Sequence, residues 1–204
     1  MDISIRSIQP KEIAVAVDVL AIAFETDPVM RHLWPNQRHR GRALQRYFRA
    51  TMARHHVPSG GVEVAAAAGE GIVGVAVWDP PGRWATTTAE FARIAPALML
   101  ALGHRVPAAV RTRRLFDRLH PNELHWYLCH LAVLPSYRRQ GIGTALLRSR
   151  CGHCDAAGQA AYLVCTRESN VSLYSSVGFA TTTPVDLNGA PLWPMWRPAH
   201  QTPR

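Results

Sequence analysis

A glycine-containing turn between an apolar segment and a helical pattern restricts the fold more than any other part of the chain. Residues 124–134 are rich in aromatic and aliphatic side chains and end at Pro135, which is typical of a buried strand. Residues 138–144 read Arg-Arg-Gln-Gly-Ile-Gly-Thr, and a helical pattern follows directly. The short apolar segment 161–166 comes next. This order predicts a parallel strand pair joined by a right-handed helical crossover.

The turn has the chemistry of a phosphate-binding loop. Gly141 and Gly143 lack Cβ atoms, so an anion can approach the backbone closely. A helix that begins there points unpaired N–H groups and its positive dipole end outward, and Arg138 and Arg139 add positive charge. The sequence is neither a Walker loop nor Gly-x-Gly-x-x-Gly, since position 146 is Leu. We therefore expect a pyrophosphate site, without support for nucleotide triphosphate hydrolysis or dinucleotide binding.

Length and composition are those of one globular domain. The chain has 204 residues, of which 48% are hydrophobic and 18% charged. Its 23 basic and 14 acidic residues give a net charge of +9, which favours anionic partners. The start of the chain does not resemble a secretory signal, and the apolar segment 94–102 is shorter than the ~20 residues that span a bilayer. We expect a cytoplasmic protein with no membrane partner and with its four cysteines reduced.

Hydrophobic periodicity predicts the remaining elements. They are a strand at 3–8, a helix at 10–24, a helix within 31–54, a hairpin of 61–67 and 71–78, two helices within 86–119, a helix ending near 158, a short helix at 169–177 and a strand at 179–183. The 31–54 segment holds seven arginines and no acid, and Arg38, Arg42, Arg46 and Arg49 recur at helical spacing. This pattern predicts an amphipathic helix with a basic face.

Two other motifs have weaker functional support. The basic face could bind nucleic acid, but no DNA- or RNA-reading motif lies beside it, so the sequence disfavours that partner. Cys151 and Cys154 flank His153 like half of a zinc site, but no second cysteine or histidine pair follows. We therefore predict no metal site.

Two sequence blocks, residues 138–143 and 170–179, together resemble the GNAT N-acetyltransferase superfamily. The resemblance extends over residues 124–183. Residues 138–143 match the family pattern Arg/Gln-x-x-Gly-x-Gly/Ala, and residues 170–179 are similar to its Asn-x-x-x-x-Tyr-like segment followed by Gly-Phe. Residues 125–128 and 191–197 resemble the branch that contains puromycin N-acetyltransferase-like bacterial proteins. The resemblance implies a single GNAT domain over 1–204: an α/β fold with a mixed, mostly antiparallel sheet, a splayed parallel central strand pair and flanking helices.

The resemblance implies acetyl-CoA-dependent N-acetylation of a primary amine, on a small molecule or peptide, by direct attack in a ternary complex. Acetyl-CoA would lie where the two parallel strands splay apart, and the helical insertion at about 86–119 would cover the acceptor side. The residues implied to bind acetyl-CoA are Leu131, Ala132, Val133, Arg138, Arg139, Gln140, Gly141, Ile142, Gly143, Thr144, Ala145 and Asn170.

Tyr174 matches the family position of the catalytic acid. A phenol of pKa about 10 can share a proton with a thiolate of pKa about 8.5, and Asn170 lies on the same helix face. The general base stays open among Glu123, His125, Tyr127 and His130. Many relatives in the suspected branch carry Glu where this chain has Val164, so a proton-handling or substrate-orienting carboxylate is missing.

Two alternatives to a transferase remain. A CoA-binding protein that has lost transferase activity would keep the turn and lack the carboxylate. A basic nucleic-acid-binding module would explain the net charge instead. The sequence leaves the acceptor amine, the role of the 31–54 helix and the oligomeric state undetermined, a homodimer included.

Overall fold

The computed structural model describes residues 2–187 and 189–199. Its strands are β1 (Ile3–Ser7), β2 (Val62–Ala67), β3 (Gly71–Asp79), β4 (His125–Val133), β5 (Ala160–Cys165), β6 (Ala180–Thr181), β7 (Val185–Leu187) and β8 (Ala190–Arg197). Its helices are α1 (Ile13–Phe24), α2 (Pro28–Leu33), α3 (Gln37–Thr51), α4 (Thr88–Leu102), α5 (Val106–Leu119), α6 (Ile142–Ala156) and α7 (Val171–Ser175). Within the described residues, no helix has the length and apolar character that a bilayer crossing requires.

The strands form a mixed sheet in the order β1-β2-β3-β4-β5-β8-β6, and β7 pairs with β8. Strands β4 and β5 are parallel, whereas the other neighbouring strands in this order run antiparallel. Helix α6 connects the parallel pair. The sheet confirms the predicted fold class, a mostly antiparallel α/β fold with one parallel pair at its centre.

The parallel strands separate after a short paired stretch. Their register runs from His125 opposite Ala160 to Leu128 opposite Leu163. Strand β4 then continues to Val133 without pairing to β5. The two strands therefore diverge and leave backbone groups of β4 free to bind another molecule.

A β-bulge lies in β4 at the point of divergence. Val77 of β3 pairs with His130, but the next residue, Trp78, pairs with Leu128, so Cys129 is the extra residue. A bulge bends its strand and redirects nearby side chains. The bend falls where β4 leaves β5.

Helices pack on both faces of the sheet. Successive side chains of β3 alternate between two buried clusters, so Val75 packs with Leu20 and Phe48 of the α1 and α3 face, and Trp78 packs with Leu146 of α6. All five side chains are fully buried. Burying a side chain such as Leu146 stabilises the fold by about 1.5–3 kcal/mol.

Gly74 of β3 brings the start of α6 close to the sheet. A Cβ at this position would lie 3.0 Å from Cγ2 of Ile142 and 3.2 Å from Cδ1 of Leu146. Most side chains at position 74 would therefore push the helix away. This close packing fixes where α6 begins relative to β4.

Helix α3 has the predicted basic face. Arg38, Arg42, Arg46 and Arg49 are exposed. Arg40 is buried instead, and its guanidinium donates hydrogen bonds to the carbonyl oxygens of Glu25, Trp34 and Pro35. Arg40 therefore stabilises the turn between α2 and α3 and adds nothing to the surface charge.

The C-terminal part of the sheet differs most from the sequence prediction. The strand expected at 179–183 is reduced to Ala180–Thr181, and the unpredicted strand β8 pairs with β5 along Ala161–Cys165. Pro191 and Pro194 lie within β8 and lack N–H donors, which weakens its strand signal. The short helix α2 was also not predicted; Asp27 caps it and Pro28 begins it.

Candidate active site

A cavity of about 470 Å³ opens where β4 and β5 diverge. Its walls come from α1, β4, the turn before α6, the end of β5 and α7. The predicted site residues that line it are Leu131, Val133, Arg138, Arg139, Gly141, Ile142, Gly143, Thr144, Asn170 and Tyr174. The fold thus brings the 138–144 turn and the helix bearing Tyr174 to one cavity.

Three predicted residues do not line the cavity. Ala132 is buried in the core beneath α1, and the side chain of Gln140 donates a hydrogen bond to the carbonyl oxygen of Ser136. The N–H of Ala145 bonds to the carbonyl oxygen of Gly141 inside α6. These contacts shape the turn and its supporting strand.

The turn before α6 exposes the N-terminus of the helix to the cavity. Gly141 is the N-cap residue, has φ +80° and supplies no side-chain cap. The first N–H groups of α6, at Ile142, Gly143 and Thr144, therefore face the cavity at the positive end of the helix dipole. This arrangement suits a phosphate group.

Gly143 keeps the cavity wall free of a side chain. A Cβ there would lie 3.7 Å from Leu173 and 3.8 Å from Leu131, in the space between β4 and α7. A narrow cleft of this kind, with cationic groups at one end, fits an elongated phosphorylated molecule such as CoA.

The charges around the cavity are mostly positive. Arg138, Arg139 and Arg167 line it, and Nε of Arg138 donates to the carbonyl oxygen of Val133 at 3.4 Å. Among the described residues that line the cavity, Asp27 carries the single carboxylate. Arginine side chains and helix N–H groups together provide the donors that CoA phosphates require.

The backbone of β4 presents hydrogen-bonding groups to the same cleft. The N–H of Leu134 donates to Val73 in β3, whereas the carbonyl oxygen of Val133 accepts from Arg138 on the other side. Because these directions alternate along a strand, the groups of Leu131 also point away from β3. Both residues can therefore bond an amide-containing chain such as pantetheine.

Tyr174 lies on α7 and is 9% exposed. Within the described residues its hydroxyl has no hydrogen-bond partner, and the side chain lines the cavity. Burial raises the pKa of Tyr174 well above its usual value, so the phenol stays protonated at neutral pH. Asn170, which precedes α7, also lines the cavity. A protonated phenol here can donate to a developing thiolate.

The four candidates for the base lie in different surroundings. Glu123 is exposed, and its carbonyl oxygen accepts a 2.6 Å hydrogen bond from Nδ1 of buried His125. Burial raises the pKa of Tyr127 well above its usual value, and burial lowers the pKa of His130 to about 3. His130 lines the cavity, but its ring is neutral and weakly basic.

Several residues near the cavity were not predicted from the sequence. Asp27 and Arg167 line it, and His56 and Asp79 form a buried pair beside Cys129. The Asp-Pro pair at 27–28 is a helix-start signal, but it does not reveal which distant element the carboxylate meets. Val164, where the sequence comparison noted a missing carboxylate, lies on the cavity wall.

Comparisons with known proteins identify a matching domain and structures of the same fold. A family model described as an acetyltransferase (GNAT) domain matches residues 99–181. A crystal structure of histone acetyltransferase HPA2 and related acetyltransferase from Corynebacterium glutamicum is 28% identical, with 99% of each chain covered and a TM-score of 0.79.

Two more distant structures share the fold. A putative arylalkylamine N-acetyltransferase 7 from the yellow fever mosquito Aedes aegypti is 18% identical, with 96% of this chain and 87% of that chain covered and a TM-score of 0.62. The PaiA N-acetyltransferase of Thermoplasma acidophilum, in complex with coenzyme A, is 14% identical, with 97% and 99% covered and a TM-score of 0.61. Residues 99–181 thus match a GNAT acetyltransferase domain, and the whole chain shares its fold with acetyltransferases, which together support acetyl transfer as its activity.

Proposed function

We propose that the protein transfers the acetyl group of acetyl-CoA to a primary amine, on a small molecule or peptide, by direct attack in a ternary complex. The observation that carries the proposal is that one cavity holds both the open N-terminus of α6 and the protonated phenol of Tyr174. The first is suited to the phosphates of the donor and the second to its leaving sulfur.

The residues of the turn and β4 hold the donor. The N–H groups of Ile142, Gly143 and Thr144 and the side chains of Arg138 and Arg139 bind phosphates. Backbone groups of β4 and the side chain of Asn170 orient the pantetheine chain. Acetyl-CoA supplies a thioester whose carbonyl carbon accepts a neutral amine nitrogen.

Tyr174 acts as the general acid in this proposal. Its Oη holds a proton at neutral pH because burial disfavours the phenolate. Giving that proton to the departing sulfur prevents release of a free thiolate. A positioned acid contributes typically about 10²–10⁴-fold to rate.

The helical insertion of α4 and α5 covers the acceptor side. Nε1 of Trp34, next to α2, donates to the carbonyl oxygen of Ala101 in α4 at 2.6 Å. Nη2 of Arg105 donates to the carbonyl oxygen of His32 in α2 at 2.7 Å. These bonds hold the insertion beside the elements that border the cavity, where an acceptor would be selected.

The class of the acceptor amine and the cellular location are further parts of the proposed function. The resemblance of residues 191–197 to the puromycin N-acetyltransferase-like branch favours an antibiotic-like amine as acceptor. The free thiols of Cys129, Cys151, Cys154 and Cys165 support a reducing, cytoplasmic location.

The test is an amine panel in which release of free CoA is followed, with calorimetry of acetyl-CoA binding in parallel. The panel contains alkylamines, arylalkylamines, aminonucleosides and lysine or N-terminal peptides. Amine-dependent CoA release, with an acetylated product by mass spectrometry, supports the proposal. Acetyl-CoA binding without release on any amine would indicate a CoA-binding protein without transferase activity, and salt-sensitive binding of DNA or RNA without acetyl-CoA binding would indicate the nucleic-acid module.

A further inference from the structure

The segment that follows α3 places a buried histidine against a buried aspartate at the end of β3. Both side chains lie beside the bulge of β4. Nδ1 of His56 donates to Oδ1 of Asp79 at 2.7 Å, and both residues are at most 6% exposed. Resting on the function proposed above, we propose that His56 is the general base that takes a proton from the acceptor amine, with Asp79 as its positioning residue.

The pair has the geometry that a histidine base needs. Although burial opposes ionisation of Asp79, attraction to His56, the close approach of His55 and hydrogen bonds from His56 and Cys129 hold its pKa well below the usual range. The carboxylate is therefore anionic and fixes the proton of His56 on Nδ1. Within the described residues Nε2 of His56 has no hydrogen-bond partner, and it is not among the wholly buried polar atoms. Nε2 is therefore not engaged by another described residue.

The pair lies directly behind the cavity wall. Sγ of Cys129, the bulged residue of β4, donates to Oδ2 of Asp79 at 3.1 Å, and Cys129 lines the cavity. The rings of His56 and His130 meet edge to face with centroids 6.2 Å apart, and His130 also lines the cavity. The pair is therefore separated from the cavity by Cys129 and His130, and the proposal places the acceptor amine against this part of the wall, within reach of Nε2 of His56.

A π-helical segment, Met52–His56, turns two adjacent histidines inward. Such segments are rare and are frequent at functional sites. His55 is 3% exposed, its Nε2 lies 3.4 Å from Oδ2 of Asp79, and its Nδ1 lies 3.8 Å from Oε2 of Glu90. The close approach of Asp79, with attraction to Asp79 and Glu90, raises the pKa of His55 against the effect of burial.

A metal ion is the other reading of this cluster, because His55, His56 and Asp79 place ligand atoms within 4.8 Å of one another. Ligand atoms around a tetrahedral zinc ion with bonds of 2.0–2.1 Å lie about 3.3 Å apart. The 2.7 Å separation of His56 and Asp79 is that of a hydrogen bond with its proton in place. The geometry therefore favours proton transfer.

The other candidates in the wall are less suited to the task. The neutral ring of His130, whose pKa burial lowers to about 3, attracts a proton weakly. Tyr127 pairs in strand register with Asp79, and burial keeps its phenol protonated. The other titratable or charged groups around the pair, among the described residues, include Tyr47, His55, Arg83, Glu90 and Cys129.

The reaction balances with this assignment. Nε2 of His56 takes one proton from the ammonium form of the acceptor, and the amine nitrogen forms a C–N bond with the thioester carbonyl carbon. The C–S bond breaks, its electron pair goes to sulfur, and Oη of Tyr174 protonates the sulfur. The second proton lost by nitrogen restores the hydroxyl of Tyr174, and His56 releases its proton to water.

The kinetic test compares wild type with His56→Gln, Asp79→Asn and the matched surface control His39→Gln between pH 6 and 10. With the best amine of the panel, we expect His56→Gln to lower kcat/KM at pH 7 about 100-fold. The loss should shrink towards pH 10, where the amine deprotonates in solution, and the KM for acetyl-CoA should not change. Asp79→Asn should lose about tenfold or more, and His39→Gln should match wild type. An unchanged kcat/KM for His56→Gln at every pH would show that His56 is not the general base.

A second measurement holds even where a variant does not fold. Imidazole ¹H–¹⁵N correlation spectra of wild type should show His56 with its proton on Nδ1 at neutral pH. A proton on Nε2, or one equivalent of zinc in the purified protein, overturns the proposal. A wild-type protein that acetylates no amine in the panel instead overturns the proposed function itself.

Discussion

Thr166 donates a 2.5 Å hydrogen bond from its Oγ1 to Oδ2 of Asp27, which joins the end of β5 to the turn between α1 and α2. The other oxygen, Oδ1, accepts from the N–H of Met30 and caps α2. Asp27 is buried, yet it lines the cavity with Tyr174. A carboxylate in this place can attract the ammonium group of an acceptor.

Replacing Asp27 with Asn should weaken binding of the acceptor amine and leave binding of acetyl-CoA unchanged. The amide keeps an oxygen for the cap of α2 and removes the negative charge. A hydrogen bond to a charged group is worth about 1.5–3 kcal/mol, so we expect the KM for the amine to rise about tenfold or more. Steady-state kinetics with Asp18→Asn as surface control measure this, and an unchanged KM would show that Asp27 serves the fold alone.

The stability of the protein should depend on pH through the same carboxyl. Burial is the main cause that raises the pKa of Asp27, against hydrogen bonds from Thr166 and Met30. The folded state therefore binds this proton more tightly than the unfolded chain, and stability falls as the pH rises through and above the usual Asp range. Urea unfolding between about pH 4 and 7 should show wild type losing stability relative to Asp27→Asn. Parallel curves for the two proteins would contradict the raised pKa.

Tyr174→Phe should lower kcat about 100-fold without weakening either substrate. The hydroxyl makes no hydrogen bond within the described residues, so its removal should not unfold the protein. Tyr162→Phe is the matched control, because its hydroxyl donates to the carbonyl oxygen of Leu119 outside the cavity. This control should lose about 1 kcal/mol of stability and keep its kcat. Full kcat for Tyr174→Phe at every pH would remove Tyr174 as the acid.

Gly141→Ala should weaken acetyl-CoA binding through backbone strain. A Cβ at Gly141 meets nothing within 4 Å, so no steric clash is expected. The φ of +80° makes the turn conformation about 1–2 kcal/mol less favourable for alanine than for glycine. Gly152→Ala, inside α6 and equally unobstructed, should instead stabilise the protein by about 0.5–1 kcal/mol. Chemical denaturation and calorimetry measure both changes, and equal behaviour of the two variants would contradict a strained turn.

Arg138→Ala should weaken CoA binding about three- to fivefold, because an exposed ion pair contributes about 1 kcal/mol or less. Pantetheine, which lacks the phosphates, should bind wild type and variant equally. Arg42→Ala, on the exposed face of α3, removes the same charge far from the turn and should leave CoA binding unchanged. Calorimetry at two salt concentrations separates a local contact from general attraction, and equal losses for both ligands would assign Arg138 to the fold.

The sequence by itself determined the parts of the site that are local. The 138–144 turn presents N–H groups and arginine side chains close together along the chain, so its suitability for an anion is visible as a run of residues. The apolar strand before it and the helix after it also have local patterns. For the same reason the basic face of α3 was predicted correctly.

The tertiary structure decided which distant residues join that turn. His56 follows α3, Asp79 ends β3 and Cys129 is the bulge of β4, and a one-residue register shift brings them together. The prolines of β8 concealed the strand that pairs with β5, and no local signal places Asp27 beside Thr166. These contacts arise from pairing register and packing between elements far apart in the chain, which neither periodicity nor spacing encodes.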